Sequence, residues 1–140
     1  MKRRYVIYGL LGLCLEVFWR GLDSLFHGDL TLSGTTYIWM FFIYGLAVLL
    51  EPIHNRIGSW PVILRGGVYT AVIFFIEYST GTFLKLILGT CPWNYGNNSL
   101  SINGLITLRF IPVWFCAGLL FELAHNTLLK MKFSKKAKLN

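Results

Sequence analysis

Charged residues are scarce in this sequence: they make up 14% of its 140 positions, whereas 55% are hydrophobic. An ordinary soluble domain carries about a quarter charged residues, and a small globule needs many polar residues because its surface is large for its volume. The shortage argues against a lone soluble domain, a disordered chain and a coiled coil. The composition favours an integral membrane protein, so the lipid bilayer is the first expected partner.

Cysteine is also scarce, and the common catalytic motifs are missing. Cys14, Cys91 and Cys116 are too few for a disulfide framework, and none lies near a histidine at metal-ligand spacing. The sequence has no Walker-type phosphate loop, no Gly-x-Ser-x-Gly elbow and no His-Glu-x-x-His or Cys-x-x-Cys motif. We therefore expect no metal and no cofactor, and we favour a non-catalytic protein over an enzyme.

Four long apolar segments dominate the chain, at about 5–25, 36–53, 62–83 and 105–129. Each approaches or exceeds the roughly 20 residues that a helix needs to cross a bilayer, and backbone groups in lipid must be paired within the helix. The first segment lacks a small-x-small cleavage site, which favours a retained helix over a signal peptide. We predict an all-α, polytopic four-helix bundle: one transmembrane domain over 1–130 and a basic tail over 131–140.

The net charge of +7 comes mostly from the two ends. The terminal bases are Lys2, Arg3, Arg4, Lys130, Lys132, Lys135, Lys136 and Lys138. Basic flanks around apolar segments follow the positive-inside rule, which predicts that both termini are cytoplasmic. No basic patch is interleaved with aromatics, so we expect no nucleic-acid partner. Lys136 and Lys138 resemble a retrieval signal for the endoplasmic reticulum if the chain is eukaryotic; a lipid-binding basic tail is the alternative.

Ionisable residues inside the apolar segments are the most informative feature, because a charge at mid-bilayer costs about 2.5–3.5 kcal/mol. Residue counting at 1.5 Å per residue places Glu16, Arg20 and Glu77 in the outer half of the membrane. Arg109 lies four or more residues into the fourth segment from its outer end. These four residues form the predicted intramembrane polar site.

Small residues share helix faces with these acids. Gly9 and Gly12 fall on the face of Glu16, and Gly66, Thr70 and Gly81 fall on the face of Glu77. Small residues let helices approach closely in lipid, so both stripes are predicted to face the interior.

Glu51, Arg65 and Glu122 fall near the inner ends of their segments and form a second, shallower charge cluster. Pro112 is expected to kink the fourth helix between Arg109 and Glu122. Two interpretations of the buried charges stay open. They are salt bridges that hold the bundle together, or they line a polar path or pocket.

The segment 89–103 is uncharged and rich in Pro, Trp, Tyr and Asn. We predict that it packs over the outer mouth of the bundle, with Trp93 partly buried. The outer-loop motif consists of five residues of this segment and the residue after it: Pro92, Trp93, Asn94, Tyr95, Asn103 and Gly104. Asn97 begins a glycosylation sequon in the same segment.

Several motifs together carry a resemblance to a known family. They are Gly12-Leu-Cys-Leu-Glu16, Phe42-Ile-Tyr-Gly45, Glu77-Tyr-Ser-Thr-Gly81, Cys91-Pro-Trp-Asn-Tyr95 and Asn103-Gly104. From Tyr5 to about Leu129 the chain resembles the transmembrane protein 229 family, which belongs with bacterial ABC-transporter type IV proteins. That family usually has Trp-Asp-Tyr-Ser where this chain has Asn94 and Gly96. The resemblance implies membrane topology more than transport.

The leading functional hypothesis is a multi-pass membrane protein whose polar intramembrane site serves solute passage, or lipid or partner binding. Four helices are thin walls for a pore, so a homo-oligomer or a partner membrane subunit is expected. The alternatives are an intramembrane lipid-modifying enzyme with Glu16 or Glu77 as general base, and a scaffold or assembly factor without chemistry.

Overall fold

A computed structural model describes residues 2–96 and 99–137, with side chains described up to residue 131. The elements are helices α1 (Lys2–Phe26), α2 (Ile38–Gly45), a 3-10 turn (Leu46–Leu49), α3 (Leu50–Ile57), α4 (Val62–Leu88), strands β1 (Ser101–Ile102) and β2 (Ile106–Thr107), a 3-10 turn (Leu108–Phe110) and α5 (Ile111–Ala137). The two strands pair antiparallel, with Ser101 opposite Thr107. The regular secondary structure of the described residues is therefore helical apart from one short hairpin.

Four helical segments are long and apolar enough to cross a membrane: Lys2–Phe26, Ile38–Ile57, Val62–Leu88 and Leu108–Met131. The bundle also carries large apolar side chains on its outside, such as Phe75 at 72% exposure and Leu86 at 80%. Such a surface suits lipid and would be costly in water. The predicted fold class, a polytopic four-helix membrane protein, is confirmed. The side on which the termini lie stays a prediction.

Two of the four segments differ in detail from the sequence expectation. The second is interrupted by the 3-10 turn before Pro52, because a proline lacks the N–H for an α-helical bond and its ring clashes with the carbonyl four residues earlier. The fourth begins later than expected, since Leu105 precedes β2. Pro112 is the second residue of α5, where proline is tolerated. The expected kink at Pro112 is therefore wrong.

The bundle has two ends, here named the termini end and the loop end. The termini end contains the start of α1, the end of α3, the start of α4 and the end of α5. The loop end contains the connections 27–37 and 89–107. The apolar core lies toward the termini end and includes Tyr8, Leu50, Tyr69 and Phe121.

Glycines form the close contacts between helices. A Cβ on Gly12 would overlap the ring of Tyr44, and one on Gly66 would overlap the ring of Phe115. Gly66, Thr70, Glu77 and Gly81 are all buried on α4. The face predicted to point inward on α4 does so, and this packing positions the polar residues of the site.

Candidate functional site

At the termini end, Glu51 of α3 is the centre of a buried polar cluster. Its Oε1 lies 2.7 Å from Nε of Arg4 and accepts a hydrogen bond of 3.0 Å from the hydroxyl of Tyr8. The same hydroxyl lies 3.0 Å from Nδ1 of His125 on α5. The Glu51 side chain is 8% exposed, so its charge is held by a base and a hydroxyl within the bundle.

Glu122 of α5 is the centre of a second cluster of the same composition. Arg65 binds it through two hydrogen bonds, Nε to Oε2 at 3.0 Å and Nη2 to Oε1 at 2.9 Å. The hydroxyl of Tyr69 donates to Oε2 at 3.1 Å and lies 2.7 Å from Nδ1 of His54. The predicted inner residues Glu51, Arg65 and Glu122 are thus at one end of the bundle, in two separate ion pairs.

Two histidines link these clusters, because each one contacts the tyrosine beside the glutamate of the other's helix. His54 follows Glu51 on α3 but contacts Tyr69, whereas His125 follows Glu122 on α5 but contacts Tyr8. Their rings meet edge to face with centroids 5.5 Å apart. Each tyrosine gives its one hydrogen to a carboxylate, so each histidine donates from Nδ1 to the tyrosine oxygen. Nε2 of His125 is then a buried acceptor with no partner among the described residues.

Sequence reasoning missed these tyrosines and histidines, although a signal was present. Three residues of α1 recur in α4 at a spacing of 61 positions: Arg4, Tyr8 and Glu16 match Arg65, Tyr69 and Glu77. Three residues of α3 recur in α5 at a spacing of 71 positions: Glu51, His54 and Asn55 match Glu122, His125 and Asn126. The two clusters are therefore built from repeated motifs.

The backbone shows the same repeat. Gly28 follows α1 with φ of +90°, and Gly89 follows α4 with φ of +73°. Leu32 and Asn103, 71 positions apart, have φ of 52° and 53°. The extra residues of the second half thus lie between Gly89 and Asn103. Each half contains two membrane-crossing segments, so both halves share one orientation, as in parallel repeats about an axis along the membrane normal.

At the loop end, Glu16 of α1 is fully engaged. Its Oε1 accepts from Nε of Arg20 at 3.1 Å, and its Oε2 accepts from the hydroxyls of Thr36 at 2.8 Å and Tyr44 at 2.7 Å. The Glu16 side chain is 12% exposed, and that of Arg20 is 45% exposed. This arrangement is a structural ion pair at the edge of the bundle.

Glu77 of α4 is engaged at one oxygen only. Its Oε1 accepts from the hydroxyl of Tyr95 at 2.6 Å, but its Oε2 has no partner among the described residues, although Glu77 is only 7% exposed. The buried indole N–H of Trp114 interacts with this carboxylate, but the contact does not meet normal hydrogen-bond geometry. The hydroxyl of Thr107 is buried and has no hydrogen-bond partner among the described residues. Such groups are rare in folded proteins and need an explanation.

The loop residue Tyr95 lies close enough to Glu16 and Glu77 for the charges of both to act on its hydroxyl. Burial raises the pKa of its phenol, and the negative charges of Glu77 and Glu16 raise it further, while the charge of Arg20 opposes them. Tyr95 therefore stays a neutral donor at physiological pH. Three of the four residues of the predicted polar site, Glu16, Arg20 and Glu77, act on this one hydroxyl.

Arg109 does not join them. It lies in the 3-10 turn before α5 and is exposed, and no carboxylate of the described side chains lies within ion-pair distance of it. The fourth membrane-crossing segment, Leu108–Met131, includes this turn, but its α-helix begins only at Ile111. Arg109 is therefore at the start of the segment and not four or more residues into it, because the residues before Leu108 form the hairpin.

The predicted loop motif folds over the loop end. The indole of Trp93, 8% exposed, donates to the carbonyl of Leu105 at 2.9 Å. Oδ1 of Asn94 accepts from the backbone N–H of Gly96 at 2.9 Å. Gly104 has φ of +69°, and a Cβ there would overlap Asn94.

The other loop residues complete this cover. Nδ2 of Asn103 donates to the Tyr78 hydroxyl at 2.9 Å, and Pro92 is half-buried beside Trp93. An open groove of about 560 Å³ runs along this surface; among its lining residues are Tyr78, Thr82, Lys85 and Asn94. Asn97 of the sequon and Lys138 of the tail lie outside the described residues.

The fold and the buried polar sites define a multi-pass integral membrane protein. A family model described as "Putative ABC-transporter type IV" matches residues 4–139. The chain therefore belongs to that family, and the predicted relationship to ABC-transporter type IV proteins is confirmed. The resemblance to the transmembrane protein 229 family stays a prediction. A comparison with solved structures finds no significant match for the chain.

Proposed function

We propose that the chain is a membrane-spanning subunit of a transport system and that the buried polar site around Glu77, here called the Glu77 pocket, binds a small polar solute. The observation that carries the proposal is Oε2 of Glu77: in a residue only 7% exposed, it has no hydrogen bond of normal geometry among the described residues, and Trp114 supplies only a poorer contact. A buried polar atom without a hydrogen bond costs about 1–3 kcal/mol. A donor group from a bound molecule would remove that cost.

The partners of the other buried acids support a structural role for those acids and a binding role for Glu77. Glu51 and Glu122 each have an arginine and a tyrosine, and Glu16 has Arg20 and two hydroxyls. Those three acids hold the bundle together. Glu77 differs because no base among the described side chains lies within ion-pair distance of it, which makes Glu77 the acid that is free for a ligand.

Membership of the family supports a transport role and implies partners. The sequence has no Walker-type phosphate loop, so ATP-driven transport would need a separate nucleotide-binding subunit. Four helices leave little room for a path through one copy. We propose that the chain works as an oligomer or beside another membrane subunit.

The test is a thermal unfolding series on the purified protein in detergent, with a panel of small polar solutes. A solute at about 100 times its dissociation constant stabilises the native state by about 2.7 kcal/mol, so the melting temperature should rise. Glu77→Gln should abolish the rise. Thr36→Val is the matched control, because Thr36 binds Glu16 and not Glu77, and it should keep the rise. A solute that stabilises Glu77→Gln as much as wild type would contradict the proposal.

A further inference from the structure

We infer that the Glu77 pocket takes a small cation that carries hydrogen-bond donors, of the guanidinium or ammonium class. This inference rests on the proposed function and adds the chemical class of the solute. Its basis is the internal repeat, which makes the occupied environment of Glu16 a template for the unoccupied environment of Glu77.

The surroundings of Glu16 show which partners a buried carboxylate has in the first half of the chain. Glu16 has a guanidinium from Arg20 on Oε1 and a hydroxyl from Thr36 on Oε2. Arg20 neutralises the charge, and the hydroxyls satisfy the remaining acceptor positions. A buried carboxylate is stable with such a set because charge and hydrogen bonds are both matched.

The second half keeps the glutamate and the threonine, but it has neither the arginine nor the tyrosine that donate to Glu16 in the first half. Glu77 and Thr107 stand where the first half has Glu16 and Thr36. The positions of Arg20 and Tyr44 are occupied instead by glycine and phenylalanine, at Gly81 and Phe115.

The loop replaces one donor only. The hydroxyl of Tyr95 binds Oε1 of Glu77, which supplies the kind of contact that Tyr44 makes in the first half. The cation has no replacement within ion-pair distance of Glu77 among the described side chains: Arg109 is exposed in its turn, and Lys85 is exposed on the groove. What the second half lacks is therefore a positive charge with donors.

The unpaired groups of the second half match such a ligand. Oε2 of Glu77 can accept a hydrogen bond and is negatively charged when the carboxyl group is ionised, and the Thr107 hydroxyl can also accept a hydrogen bond. Strand β2, which contains Thr107, packs against α4. Trp114, beside Glu77, offers an aromatic ring, which attracts cations. A guanidinium or ammonium group satisfies the acid and the hydroxyl together, whereas an anion would be repelled.

The experiment compares guanidinium with urea, which has nearly the same shape and no charge. Purified full-length protein in detergent is unfolded thermally at millimolar concentrations of guanidinium chloride, methylammonium chloride, urea or sodium chloride. These concentrations are far below those that denature. Guanidinium or methylammonium should raise the melting temperature in a saturable way, and urea and sodium chloride should not.

Variants locate the effect in the pocket. Glu77→Gln should raise the apparent dissociation constant at least about tenfold, because a charge-assisted hydrogen bond is lost. Thr107→Val should raise it about three- to tenfold, whereas the matched variant Thr36→Val should leave it unchanged. Thr107→Val keeps the size of the side chain, so it tests the pocket even if Glu77→Gln does not fold.

The outcomes separate this inference from the proposed function. If urea stabilises the protein as well as guanidinium and Glu77→Gln abolishes both effects, the pocket binds a neutral solute; the cation inference is then overturned and the proposed function stands. If no solute stabilises the wild type and Glu77→Gln raises its melting temperature, Glu77 holds a proton and no ligand, and both are overturned. Equal stabilisation of wild type and Glu77→Gln also overturns both.

Discussion

Replacing Arg65 with methionine should destabilise the protein far more than the same change at Arg20. Both arginines pair with a glutamate at nearly the same distance, 2.9 Å for Arg65 to Glu122 and 3.1 Å for Arg20 to Glu16. Their exposure differs, since the Arg65 side chain is 15% exposed and that of Arg20 is 45% exposed. The two carboxylates are similarly buried, 16% exposed for Glu122 and 12% for Glu16, so the comparison tests the effect of burying the arginine of an ion pair.

The magnitudes follow from what each replacement leaves behind. Without Arg65, Glu122 keeps a buried charge with only Tyr69 and His54 beside it, at a cost of about 3–5 kcal/mol. The carbonyl of Trp60, bound by Arg65 at 2.6 Å, loses a hydrogen bond worth about 1 kcal/mol. Without Arg20, Glu16 keeps two hydroxyl donors, and because the Arg20 side chain is 45% exposed, water can take its place beside the carboxylate, which limits the cost to about 1 kcal/mol.

The assay is equilibrium or thermal unfolding in one detergent for wild type, Arg65→Met, Arg20→Met and Arg65→Met/Glu122→Gln. The double variant should be more stable than Arg65→Met alone, because it removes the stranded charge. Equal destabilisation by the two single variants would refute the reasoning that burial sets the strength of these pairs. Additive effects in the double variant would refute the direct coupling of Arg65 to Glu122.

Three further predictions test the packing, the loop and the topology. Gly66→Ala should cost about 1–3 kcal/mol because its Cβ would overlap Phe115, whereas Gly67→Ala, with open space around it, should be neutral or slightly stabilising; equal unfolding midpoints would contradict this packing. In a variant with Trp93 as its only tryptophan, iodide should quench its fluorescence much less than that of free indole, because Trp93 is 8% exposed; full quenching would mean that the loop does not pack as described. Tags at both termini should be protected from protease in sealed right-side-out vesicles if both ends are cytoplasmic, and one accessible tag would exclude that topology.

The number of spans was predictable because it depends on segment length and hydropathy alone. The buried face of α4 was also predictable, since Gly66, Thr70, Glu77 and Gly81 recur at helical spacing. The limits of the fourth segment were not. Leu105 is apolar like its neighbours, and only the tertiary structure reveals that its backbone belongs to the hairpin and not to α5.

The site was predictable in part. Depth counting brought Glu16, Arg20 and Glu77 to one end, but it treated each helix separately and could not show that Tyr95 folds back from the loop onto Glu77. Depth counting also gave no role to His54 and His125, which are both buried. Comparing the sequence with itself would have found them, because Glu-x-x-His-Asn occurs twice.

The exchange of histidines between the halves has a consequence for assembly. Tyr8 finds its histidine on α5, and Tyr69 finds its histidine on α3, so neither pair of crossing segments completes its own hydrogen bonds. Two copies of one helix pair would supply every missing partner to each other. The single chain thus has the contact pattern of a symmetric dimer whose subunits are joined by the short turn after Ile57.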